Sequence, residues 1–110
     1  MIVKFYNVAT QKTQILGNVR GFFYTEKVCK SDYKAGLKGT YCKIYLLEGK
    51  DKYCIGTCKH PEDCEEIIDI IYDCIKANTY NGATIFNLCS VIDGHSDLID
   101  ISGNCFGKER

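Results

Sequence analysis

Hydrophobic positions along this chain follow two periods, and the two periods divide it into elements. Residues 1–9 hold the β-prone side chains Ile2, Val3, Phe5, Tyr6 and Val8 and predict a first strand. The polar run Thr10-Gln11-Lys12-Thr13-Gln14 predicts a turn. A second extended stretch follows, interrupted at Gly17-Asn18 and Gly21 and ending in Phe22-Phe23-Tyr24-Thr25; glycines inside it predict a bend or bulge. Residues 40–59 carry the clearest alternation. Tyr41 to Leu47 runs up, Glu48-Gly49-Lys50-Asp51 turns, and Lys52 to Cys58 returns. A two-residue or a four-residue loop places Leu47 opposite Lys52 either way. That register puts Cys42, Ile44, Leu46, Tyr53 and Ile55 on one face, the predicted core face.

From Pro61 the period changes to that of a helix. Pro61 suits the first turn, where its missing N–H costs nothing. Glu62 and Asp63 sit at the positive end of the dipole, and Lys76 lies toward the negative end. At 100° per residue Cys64, Ile67, Ile68, Ile71 and Ile75 form one stripe. Burying five such side chains contributes on the order of 10 kcal/mol before entropy is subtracted, which outweighs the modest helix propensity of Ile. Residues 78–82 end the helix. Two further strands are predicted over residues 83–92 and 98–102, joined by a hairpin turn at Asp93-Gly94-His95-Ser96-Asp97. The expected fold class is α+β: a mainly antiparallel sheet of five to six strands, with one amphipathic helix packed on one face. Residues 1–103 form a single domain in this reading, and residues 104–110 form a flexible tail.

Charge changes the picture more than composition does. The net charge is zero, yet residues 1–60 carry eleven Lys/Arg against four Asp/Glu, and residues 61–110 carry three against ten. The halves are therefore +7 and −7, which predicts a bipolar surface and makes a homo-oligomer one expectation. The start of the chain has no basic region followed by an apolar run, and no stretch approaches the ~20 apolar residues of a membrane helix; a cytoplasmic protein that meets no membrane is expected. In that compartment the eight cysteines are expected to be reduced, serving as small apolar side chains.

Three clusters carry candidate chemistry. Cys54, Cys58, His60 and Cys64 are of the types that close a tetrahedral zinc site. Their spacing is poor: Cys54 and Cys58 lie about 13 Å apart along an extended strand. Buried thiols without a cofactor are the expected state. Lys27, Lys30, Lys34 and Lys38 surround Tyr33, and Lys43 and Lys52 sit near Tyr41 and Tyr45, a pattern in which lysines neutralise phosphates and tyrosines stack on bases. Only two Arg occur, fewer than base-specific contacts favour. Arg20-Gly21-Phe22 is similar to the start of the signature strand of the RNA-recognition motif, but Phe23 and Lys27 depart from it.

The third cluster is Glu62, Glu66, Asp69 and Asp73, which fall within about 60° of arc opposite the apolar stripe. Like charges at i,i+4 cost a few tenths of a kcal/mol, so helix stability does not call for this row. An acidic surface of this kind steers toward a basic partner. No nucleophile elbow, phosphate-cradling loop or paired-His metal motif is present, and no enzyme is expected. The expected function is a small non-enzymatic module that binds another protein with a basic surface. In size and charge pattern it is similar in kind to small phage-type inhibitors of host defence systems, CRISPR-like or nuclease. Two other classes compete: a nucleic-acid-binding or zinc-stabilised module using the basic half, and an oligomer that binds a small, nucleotide-type ligand.

Overall fold

The computed structural model describes residues 1–29, 39–80, 82 and 84–102. Six strands and two helices follow in order: β1 (Ile2–Asn7), β2 (Lys12–Leu16), β3 (Val19–Cys29), β4 (Gly39–Glu48), β5 (Asp51–Cys58), α1 (Pro61–Tyr80), β6 (Ile85–Asn87) and α2 (Leu88–Asp93). The class is α+β, but the strands form two three-stranded sheets, ordered β2-β1-β6 and β3-β4-β5, and not the single expected sheet.

The division begins at the turns. Asn7 is buried, and its side-chain oxygen accepts from the backbone N–H groups of Ala9 and Thr10, at 3.0 and 3.4 Å. This Asx geometry turns the chain early, at residues 8–11, so the polar residues from Lys12 onward pair with β1 instead of forming the turn themselves. At Gly17-Asn18 the chain bends, Asn18 taking a left-handed conformation with φ 56°, and the Val19 N–H still donates to the Met1 carbonyl at 3.0 Å. β3 leaves this bend to pair with β4, with the expected irregularity lying between Val19 and Gly21.

The β4–β5 hairpin keeps the expected register, Leu47 opposite Lys52 and Leu46 opposite Tyr53. Ile55 is an extra residue: Tyr45 pairs with Cys54, while Ile44 pairs with Gly56. This bulge rotates the rest of β5, so Cys58 joins Cys42 in the core. Gly56 is required by close approach, since a Cβ there would lie 2.5 Å from the Ile99 side chain.

α1 begins where the His60 carbonyl accepts from the N–H groups of Asp63 and Cys64. Cys64, Ile67 and Ile71 are fully buried, and Ile68 and Ile75 pack beside them. They meet Cys42, Ile44 and Leu46 of β4 and Val3 and Phe5 of β1, so both sheets share one core with the helix.

After α1 the chain departs from expectation. The strand predicted over residues 83–92 is only Ile85–Asn87, pairing parallel with β1 because α1 has carried the chain across; Leu88–Asp93 is helical. Leu88 and Ile92, one helical turn apart, are both buried. The predicted hairpin turn at residues 93–97 is a run of helical turns, in which His95 Nδ1 lies 2.8 Å from the Val91 carbonyl. The strand predicted over residues 98–102 is reduced to one bridge, Thr57 with Asp100. No helix of the described residues is long and apolar enough to cross a membrane.

Candidate functional site

α1 positions the acidic row. Because its apolar stripe is buried in the shared core, Glu62, Glu66, Asp69 and Asp73 all stand exposed on the opposite side. Among the described residues no cation forms an ion pair with them. Glu65, also exposed, lies toward β3, where it accepts a 3.2 Å hydrogen bond from the Tyr24 hydroxyl. Lost solvation, then the neighbouring Glu65 carboxylate, push the Tyr24 phenol above its ordinary value.

The opposite surface is the outer face of β3-β4-β5. Register places Phe23, Thr25 and Lys27 beside Tyr45, Lys43 and Tyr41, with Lys52 on the third strand, and no carboxylate shares these positions. Phe23 and Tyr45 stack at 5.2 Å and 24°, and the Lys52 ammonium sits 4.7 Å from the centre of the Tyr45 ring. Lys52 is thus held by an aromatic contact, and Tyr45 is only 8% exposed. Of the predicted basic cluster, Lys27 is exposed on this face. Lys30, Tyr33, Lys34 and Lys38 lie outside the described residues.

The predicted zinc quartet is divided by the bulge at Ile55. Cys58 and Cys64 are buried together with Cys42, His60 is exposed, and Cys54 lies on the outer face, its thiol donating to the Gly56 carbonyl at 3.6 Å. Among the described residues no group of three or more His, Cys, Asp or Glu is arranged to hold a metal ion. Burial, then the neighbouring Cys64, push the Cys42 thiol up to about 12. Cys64 is raised further by its hydrogen bond to Cys58 and by burial. Such thiols are poor nucleophiles at neutral pH. The six cysteines with described side chains are free.

One hollow was not foreseen. A cavity of about 340 Å³ opens between β3 and α1, lined by Phe22, Phe23, Tyr24, Glu65, Ile68 and Asp69. Only Asp69 among the predicted site residues lines it. An enclosed apolar space beside α2, lined by Tyr6, Ile55, Leu88 and Ile92 among others, is about 20 Å³, too small for an organic ligand. No protein-family model matches the chain, and neither does any curated protein or solved structure.

Proposed function

We propose that this chain is a non-enzymatic protein-binding module that presents the outer face of α1 to a basic surface of another protein. One observation carries this reading: Glu62, Glu66, Asp69 and Asp73 are exposed, and without ion pairs among the described residues, on a helix whose opposite stripe is buried. Carboxylates spaced one helical turn apart repel each other, and beyond Glu62 in the first turn their clustering contributes nothing to the helix itself. It does create a one-signed field that speeds capture of a cationic partner and depends on ionic strength. A cationic nucleic-acid channel is such a partner, because a row of carboxylates competes there with phosphates. Inhibition of a nucleic-acid-handling defence protein would follow from that competition.

The test uses immobilised oligolysine as the probe. Retention that falls with salt, and that E66K/D69K/D73K abolishes, supports the reading. Retention unchanged in that variant rules out the helix face as the contact.

A second reading is favoured by the opposite surface, where Phe23, Tyr45, Lys43 and Lys52 lie together without a carboxylate. That face suits single-stranded nucleic acid, with lysines on phosphates and an outward aromatic ring on a base. Anisotropy with a labelled single-stranded oligonucleotide tests it: binding weakened by both K43E and K52E supports it, and no salt-sensitive binding removes it.

A further inference from the structure

Among the described residues the longest strand is β3, of eleven residues, with β4 on one side and no described strand on the other. Exposed sheet edges are usually short, bulged or covered, because a free edge pairs with any extended chain. The irregularity in β3 is confined to its start; from Gly21 to Cys29 the register with β4 is unbroken. The Phe22 N–H points away from β4, toward the Tyr72 hydroxyl of α1 at 3.3 Å. Period two then turns the Tyr24 and Glu26 backbone groups toward the same side. Along this edge runs the hollow of about 340 Å³, with Phe22 and Ile68 as its apolar wall and Glu65 and Asp69 as its acidic one.

We propose that the groove between the free edge of β3 and α1 takes an extended basic segment of a partner protein as an added strand. The inference rests on the reading of α1 as an acidic docking face, and it names how the partner is held. Main-chain hydrogen bonds to Tyr24 and Glu26 supply affinity. Alternate side chains then meet two environments: apolar ones enter the hollow beside Ile68, and Lys or Arg meet Glu65 and Asp69. The Tyr72 hydroxyl gives up the Phe22 N–H to a peptide carbonyl. Gly21 lets that hydroxyl approach, since a Cβ there would lie 3.0 Å from it. A second copy of this chain fits the same edge poorly, because pairing two β3 strands would bring two acidic helices toward each other.

The experiment is an amide NMR titration of the full chain with a synthetic heptapeptide of alternating Lys and Val. Two control peptides accompany it, one with alternate amides N-methylated and one with Glu in place of Lys. Strand addition predicts that exchange at the Tyr24 and Glu26 amides slows by about tenfold or more at saturation. It also predicts that both control peptides lose binding and that Tyr72→Phe, which frees the Phe22 N–H, tightens it. Binding that survives N-methylation, with shifts confined to Glu62, Glu66 and Asp73, overturns the inference while leaving the acidic docking face standing. Absence of binding also overturns it, as does protection of β3 in a dimer without peptide.

Discussion

The outer face of α1 and the outer face of β3-β4-β5 lie on opposite sides of the molecule and carry opposite charge, but they are built differently. On the sheet Lys52 lies over Tyr45, Tyr45 stacks on Phe23, and Lys43 lies across from Thr25 and Thr57. On the helix no cation among the described residues pairs with Glu62, Glu66, Asp69 or Asp73. A charge tied into its neighbours is accounted for by stability alone. The acidic row adds mutual repulsion that only Glu62, in the first turn, offsets through the helix dipole, and this separates the two faces as candidate sites.

Both faces hang on the same core, so the first way to break the comparison is to remove its support. Ile71 is fully buried beneath α1, and Ile71→Ala is expected to cost about 2–5 kcal/mol, measured by urea unfolding. Both faces should lose binding together in proportion to the unfolded fraction.

The thiols of that core give a second, pH-dependent handle. Cys42 is raised to about 12 in the folded protein from an ordinary value of 9.0. The folded state therefore keeps its proton while the unfolded state releases it. The stabilisation is complete below pH 9 and is lost as pH rises from 9 toward 12. The slope approaches about 1.4 kcal/mol per pH unit for this thiol. Cys42→Val should flatten that fall in urea titrations; an unchanged slope would show that other groups dominate it.

Smaller effects sharpen the contrast between the faces. Lys52→Ala is expected to lower stability by about 0.5–1 kcal/mol, through loss of its contact with the Tyr45 ring. Charge reversal on α1 should do less. Replacing Glu66, Asp69 and Asp73 by Lys exchanges one set of like-charge neighbours for another, with new opposite-charge pairs to Glu62 and Glu65, and should leave stability within a few tenths of a kcal/mol of the parent.

Much of this architecture was legible where periodicity was long. The β4–β5 hairpin declares its core face through Cys42, Ile44 and Leu46, and α1 declares its own through Cys64, Ile67 and Ile71. The acidic row follows from the same helical period. Features set by tertiary contact were not legible. The bulge at Ile55 has no local signal beyond the adjacent Gly56, yet it moves Cys58 into the core and separates it from Cys54. Residues 83–92 are rich in Ile, Val and Phe and read as a strand, although Leu88 and Ile92 at i,i+4 offered a helical alternative that packing selects. The groove beside β3 was hidden because strand order cannot be read from one chain's alternation. The open edge exists only because the strands part into two sheets.

The most direct measurement pairs stability with retention on oligolysine for E66K/D69K/D73K. An unfolding free energy within a few tenths of a kcal/mol of the parent's, with retention abolished, is the expected result. Undiminished retention at full stability would contradict the assignment of the α1 outer face as the binding surface.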